Sequence, residues 1–582
     1  MTLATAVLTL SGAFASAQAP YPSRVDLAFN HWYDYEEMTE ALQKLADAYP
    51  ELLTLESLGQ SVGGREIWLM TLNNPETGPD TEKTAAFIDG NIHGNEIQAA
   101  ETVLYSIWYL TKSYGKIDKI TKLVDERAFY FVPMENPDGR EIWFNQPATP
   151  HYQRGGIRPT DNDYDGLYDE DPYDDLDGDG HITQMWVRDP LGRWERDPDD
   201  DRFFIRVDED DAPGGWTPVG SEGIDNDGDG SVNEDGPGGY DPNRNWPSDW
   251  QPEYIQFGAG DYPFSLPETR AIADFLKEHP NIAAFQSYHN AGGMILRGPG
   301  ARYVSYPNQD IRVYDQLGQR GEELLPYYNY WIIHADLYTV HGGEVNWAYE
   351  GLGIFSFTNE LWTDKRMFQK ADGPTSEERE IFREWLQFDD VYVPYTEVDH
   401  PQYGKVLVGG TKKYSSRVTP PWLLEEGAHR NFAFTMFHAD EMPRVEWGAA
   451  QIRRTNSGLW DLTIEVKNPK IIPTIAAIAW QKGIGERDSI TVETGDGSSV
   501  VASGRVDSML PWTKLDAGDS PQPERIWVDR GIGSKGAELF RFLIAGEGSV
   551  EVEYRSQKGG TIRKTLELAE MTPDAADEVS AP

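Results

Sequence analysis

Cysteine is absent from all 582 residues, so a thiolate nucleophile, a disulfide framework and a Cys-type zinc site are all excluded. Positive charge is scarce. Fifty-one Lys and Arg face 97 Asp and Glu, a formal net charge of −46, which argues against nucleic acid or an anionic membrane surface as a partner. Past the N-terminus no apolar run is long enough to cross a bilayer, and no transmembrane segment is expected. No Lys or Arg precedes Arg24, so a basic n-region is missing, yet Leu3 to Leu10 is apolar. Small residues follow at Ala15-Ser16-Ala17 and Ala17-Gln18-Ala19. These features predict a signal peptide over residues 1–19 and a secreted or periplasmic protein.

What is present is an ordinary globular composition, 39% hydrophobic and 25% charged, in a chain long enough for two to four folding units. The acidity is local. Between Asp161 and Asp235 there are 26 acidic and 5 basic residues, so a local cause is required. Before this segment the pattern is α/β: a helix from Tyr35 to Tyr49, strands at Glu66 to Leu72, Thr84 to Asp89 and Ala128 to Pro133, and a helix from Ile97 to Leu110. The alternation resumes after it with a helix ending near Lys277 and a strand at Ile282 to Ser287. One domain, residues 20–443, is therefore interrupted by an acidic insertion at 155–235. From 444 to 570, short alternating runs such as Leu459 to Val466 and Glu538 to Ile544 predict an all-β sandwich. A disordered tail is expected over 571–582.

His93 and Glu96 fall in a Gly-containing turn between a buried strand and a helix, where α/β sheets place their sites. Zinc accepts imidazole and carboxylate ligands, and a catalytic ion keeps one position open for water. The His-x-x-Glu spacing is weak alone, since His341 to Glu344 and His438 to Glu441 match equally well.

The segments around the first pair are more specific. Tyr49-Pro50, Gly63-Gly64-Arg65, the His93/Glu96 turn, Glu135-Asn136-Pro137-Asp138-Gly139, Asp241-Pro242-Asn243-Arg244-Asn245-Trp246, Ser287-Tyr288-His289, Leu337-Tyr338 and Phe355 to Glu360 occur in order. Over roughly Tyr35 to Glu441 the chain resembles the M14 family of zinc carboxypeptidases. The resemblance implies a mixed central sheet flanked by helices, one catalytic zinc on His93, Glu96 and His289, and Glu360 as general base. It also implies a carboxylate anchor at Asn243 and Arg244, a mobile tyrosine at Tyr338 and a specificity-pocket residue at Val345. For the oxyanion arginine the resemblance implies Arg154, with Arg158 as its competitor. The substrate would be a peptide or protein with a free C-terminus, and Val345 suggests an apolar terminal side chain.

The insertion carries three Asp-x-Asp-x-Asp-Gly loops: Asp161/Asp163/Asp165, Asp175/Asp177/Asp179 and Asp225/Asp227/Asp229. Oxygen ligands at positions 1, 3 and 5 with Gly at 6 suit calcium. Position 12 holds Pro172, Trp186 and Gly236, so these are not EF-hands. Asp169, Glu170, Asp174, Asn233, Glu234 and Asp235 are candidates to complete shared sites, giving a calcium-stapled lobe beside the cleft. Three functional readings stay open: an exported metallocarboxypeptidase, a relative acting on cell-wall or γ-glutamyl peptides, and a non-catalytic binding protein on a degenerate peptidase domain.

Overall fold

The computed structural model describes residues 22–516 and 522–572. The expected signal peptide lies outside them, as does nearly all of the expected tail. Met571, placed in that tail by the sequence, instead forms a bridge with Ile452.

The N-terminal region is organised on an eight-stranded sheet. Its strands are β1 (Leu53–Gln60), β2 (Glu66–Leu72), β3 (Thr84–Gly90), β4 (Arg127–Val132), β5 (Ile282–Asn290), β6 (Met294–Arg297), β7 (Asn329–Ile332) and β8 (Phe355–Leu361). They lie in the order β1-β2-β4-β3-β5-β8-β6-β7. The four central strands β4, β3, β5 and β8 are mutually parallel, and antiparallel pairs flank them. Every residue of β3, β4 and β5 is buried, as expected when helices cover both faces of a parallel core. One face packs on the helices Gln98–Ser113, Asn308–Leu324 and Leu424–Asp440. Pro267–Glu278 and Glu344–Leu352 cover the other. No helix among the described residues is long and apolar enough to cross a membrane.

The acidic insertion does not fold alone. Its strands Gln184–Arg188, Trp194–Arg196, Phe204–Arg206 and Trp216–Ser221 complete a six-stranded sheet with the hairpin Tyr392–His400 and Gly404–Thr411. Val406 pairs with Val187 across this junction. The hairpin's membership in the lobe is not visible in the local sequence, because its partner strands lie far upstream.

Residues 446–567 form two four-stranded antiparallel sheets that share one apolar core of Leu462, Phe540 and Phe542 against Ile490, Val552 and Tyr554. This module is tied firmly to the eight-stranded sheet region, since Ile471, Ile472, Ile478 and Ala479 join the main core. Asp310, 1% exposed, accepts hydrogen bonds from Tyr349 Oη at 2.6 Å and from the backbone N–H groups of Ala477 and Ile478 at 2.9 Å. It thus caps a module helix from the side of the main sheet. Asp310→Ala leaves those buried donors without a partner and is expected to lower stability by about 3 kcal/mol, read by urea unfolding. An unchanged midpoint would show that the junction carries no stability.

Candidate functional site

Parallel strands deliver their carboxyl ends to one edge, and here β3, β5 and β8 deliver the site. Beyond β3 the chain turns through Asn91, held at a φ of 62°, and presents His93 and Glu96. Gly94 is required in this turn: a Cβ there would lie 2.4 Å from the Gly139 carbonyl carbon and 2.7 Å from Gln153 O. His289 is the penultimate residue of β5, inside the strand and not beyond it, and is paired in register with Glu360 of β8.

His93 Nδ1 lies 2.9 Å from Glu96 Oε1, and His289 Nδ1 lies 2.8 Å from Glu96 Oε2. One nitrogen or oxygen from each of these three residues falls within 4.8 Å of the others. His93 Nδ1 is buried without a hydrogen-bond partner, while its Nε2 lies 2.9 Å from Asp241 Oδ1. A carboxylate on the outer nitrogen fixes the tautomer that frees Nδ1 for a metal. Two imidazole nitrogens and one carboxylate, with a cavity in front, fit a zinc ion with an open position.

Burial opposes the charge on Glu96, but the His93 and His289 imidazoles outweigh it and hold its carboxyl well below the usual range. Asp241 is likewise opposed by burial and held low by Arg244, His93 and Arg154. Glu360 behaves in the opposite way. Burial, reinforced by Glu96, pushes its carboxyl up to about 7, against the pull of His289, Arg417 and Arg154.

The cavity in front has a volume of about 210 Å³ and is lined by His93, Glu96, His289, Glu360, Arg154, Asn243, Arg244, Tyr338 and Val345 among others. All nine candidate zinc, catalytic and substrate-contact residues from the sequence are therefore brought together. Arg154 reaches Asp241 Oδ2 at 3.1 Å and Glu96 Oε1 at 3.4 Å. Arg158 turns away to pair with Asp261. Asn243 Oδ1 accepts from the N–H of Glu344 at 2.9 Å, and Arg244 Nη1 donates to Asn243 O at 2.7 Å. Tyr338 is 52% exposed at the mouth, and Met294, Leu296, Ile333, Val340 and Val345 form an apolar wall.

Arg417 belongs to the same cavity and was missed in the sequence. Its Nη2 donates to Asn290 O at 2.6 Å and to Glu96 Oε1 at 3.3 Å. It sits in a loop after the lobe hairpin, at a φ of 66°, with no periodicity or motif to mark it. Asp241 opens the Asp241-to-Trp246 motif, and its bonds to His93 and Arg154 are not visible in that local sequence. Other motif residues prove architectural. Asp138 accepts from Arg65 Nη1 at 2.8 Å and Gly63 N at 2.7 Å, and Asn136 caps the helix Pro137–Asn145. The competing His-x-x-Glu pairs dissolve, since His341 Nδ1 lies 2.8 Å from Asp249 and His438 is buried against Phe357 and Phe434, its pKa pushed down to about 3 by burial.

In the lobe each Asp-x-Asp-x-Asp-Gly loop turns through a glycine in the left-handed region, Gly166, Gly180 and Gly230. Asp161 and Asp175 accept from the N–H of Gly166 and Gly180 at 3.1 and 2.8 Å. The first and third loops face each other, with Asp163 grouped both with Asp161 and Asp165 and with Asp227 and Asp229. Asp163 also meets Glu170 and Asp235. Asp169 accepts from Thr160 N, Asp174 from Ile224 N and Asn226 Nδ2, and Asn233 Oδ1 has no partner. Both carboxylate oxygens of Glu170 and of Glu234 are buried and unpartnered, as is Glu222 Oε1. Glu222 is fully buried, and its carboxyl is pushed up to about 8, first by burial and then by Asp177 and Asp179.

Comparison with known proteins agrees with this geometry. Residues 38–385 match the zinc carboxypeptidase family, Peptidase_M14, and residues 444–567 match a domain of unknown function. Carboxypeptidase D of Rattus norvegicus is 35% identical over 144 residues, covering 25% of this chain and 10% of that protein. The inactive metallocarboxypeptidase ECM14 of Saccharomyces cerevisiae is 34% identical over 134 residues, 23% of this chain and 31% of that one. Mast cell carboxypeptidase A of Mus musculus is 24% identical over 354 residues, 58% and 65% of the two chains. The chain thus spans a tenth to about two thirds of the length of these relatives. Among solved structures, carboxypeptidase A from Helicoverpa armigera shares 18% identity over 73% of this chain and 77% of that one, with a TM-score of 0.44. Because the family match spans more than half of its length, the chain belongs to the zinc carboxypeptidase family.

Proposed function

We propose that this protein is an exported zinc metallocarboxypeptidase that removes the C-terminal residue of peptides or proteins, with a preference for apolar side chains. The observation that carries the reading is the pairing of His289 with Glu360 across β5 and β8, with Asn243 and Arg244 on another wall of the same cavity. His93, Glu96 and His289 hold the ion. Bound there, zinc supplies Lewis acidity toward the scissile carbonyl and toward water.

Arg244 binds the terminal carboxylate as a forked cation, with Asn243 beside it. Tyr338 closes over the bound terminus from the mouth. Val345 and its apolar neighbours receive the terminal side chain. Glu360, with a pKa near neutrality, accepts the proton of the attacking water and returns it to the leaving amine nitrogen. Arg154 donates to the carbonyl oxygen as negative charge develops there. Asp241 acts through His93 and Arg154 and is a positioning residue.

Release of a free amino acid from an N-blocked dipeptide tests this directly. Glu360→Gln is expected to lower kcat by roughly 10²–10⁴-fold while one zinc per chain is retained; full activity in that variant would remove Glu360 from the mechanism. Arg244→Ala is expected to lower kcat/KM by about 100-fold through KM, reflecting a charge-assisted bond of ~3 kcal/mol. Equal effects on substrates with free and amidated termini would refute the anchor. Glu360 must be ionised to accept a proton, so kcat/KM rises with pH through its pKa. The acid limb is expected at or below about 7, below because a nearby dication favours the carboxylate.

We further propose that the lobe binds calcium. The ligands are drawn from Asp161, Asp163, Asp165, Asp175, Asp177, Asp179, Asp225, Asp227 and Asp229, supported by Asp169 and Asn233. Glu170 and Glu234 stand ten positions into the first and third loops, and Glu222 faces the second. Chelation is expected to lower the melting temperature, with calcium in 100-fold excess over Kd contributing about 2.7 kcal/mol. An identical melt in chelator and in calcium would end the proposal.

A further inference from the structure

Behind the candidate zinc ligands lies a second cluster that the peptidase reading does not use. Asp89 is the penultimate residue of β3, on the face that it shares with Phe87 and Ser287. Glu135 follows β4 and is held there by its N–H, which donates to Gly90 O at 3.1 Å. Glu344 opens the helix Glu344–Leu352. All three are 0% exposed, and a carboxylate oxygen from each lies within 4.8 Å of those from the other two.

Five of the six oxygens are buried and take no hydrogen bond from a basic or backbone donor: both of Asp89, both of Glu135, and Oε1 of Glu344; the groups within reach of Asp89 and Glu135 are Ser287 and the carboxyl of Glu344. The sixth, Glu344 Oε2, accepts from Ser287 Oγ at 3.2 Å. Buried polar atoms are normally satisfied, and buried charges are normally paired. Here the ionisable groups acting on the three are one another and Glu268, all of them acidic. Burial and this mutual repulsion push every one of the three carboxyls well above the usual range.

We infer that Asp89, Glu135 and Glu344 bind a structural divalent cation of hard character, such as magnesium, calcium or manganese, with Ser287 Oγ as an adjacent oxygen. An all-oxygen set of several carboxylates, with no imidazole or sulfur, selects this class over zinc. One oxygen from each of the three carboxylates converges within 4.8 Å, and such ions accept carboxylates in either mono- or bidentate fashion. The location gives the ion a task. It ties together the end of β3, four residues before His93, the turn after β4, and the helix whose first N–H holds Asn243 Oδ1. Three segments that carry the cleft are thus pinned from behind.

Crystals of the full chain grown with manganese test the site without any substitution. The expected result is an anomalous difference peak among Asp89, Glu135 and Glu344, separate from any peak at His93, Glu96 and His289 or in the acidic lobe. Elemental analysis of the manganese-loaded protein should give one more equivalent per chain than the Glu135→Gln/Glu344→Gln variant, with zinc unchanged. No peak at the cluster, with the carboxyl oxygens at mutual hydrogen-bond separation, would overturn the inference and show that the three share protons. Equal metal content in a variant that melts as a folded protein would overturn it as well. Zinc content and dipeptide hydrolysis are read separately, so either reading can fail without the other.

Discussion

The site depends on holding like charges close together in a place with little water. Glu96 and Glu360 line one small cavity and Asp241 is bonded to its residues His93 and Arg154, and carboxylates placed so close repel strongly when desolvated. The fold answers with cations placed between them. Arg154 spans Asp241 and Glu96, Arg417 reaches the same Oε1 of Glu96, and the two imidazoles face Glu96 as well. The result is asymmetric. Glu96 and Asp241 are held firmly ionised, whereas Glu360 is left near neutrality. Two kinds of carboxylate from one residue type is what ligand and base roles require.

Parallel strand register makes this arrangement possible. A one-residue slip of β8 against β5 would turn Glu360 to the opposite face of the sheet and separate it from His289. The register is fixed by burial of Phe355 and Phe357 on β8 and of Phe285 on β5. Apolar packing in the sheet interior thus determines the chemistry at its edge.

Much of this was legible in the sequence because strand ends and turn motifs are local. The run from Ile354 to Thr358 predicts a buried strand, and the polar residue that ends it, Glu360, must then face a cleft. The zinc triad needed more than spacing, since three His-x-x-Glu pairs were present and the other two are architectural. Arg417 could not have been found, because its position depends on a lobe sheet assembled from segments near 187 and 406. Glu344 illustrates a different limit. Locally it shows only the spacing to His341, whereas its partners, Asp89 and Glu135, are distant in sequence and converge through the sheet.

The net charge of −46 is managed differently in three regions. In the cleft, arginines stand against the acids, and Glu96 and Asp241 are held ionised while Glu360 is not. In the lobe the loops spend their backbone N–H groups on the aspartates, which orients the carboxylates but does not cancel their charge. Behind the sheet neither device operates on Asp89 and Glu135, whose four oxygens lack even a backbone donor. Hydrogen bonds can redistribute a buried negative charge, yet they cannot remove it, and an interior of low dielectric tolerates little net charge. Where basic side chains are absent, neutrality must come from protons or from bound cations. The geometry of the oxygens decides between the two: carboxyls that share protons must lie edge to edge in pairs, whereas carboxylates around an ion need only converge on one point.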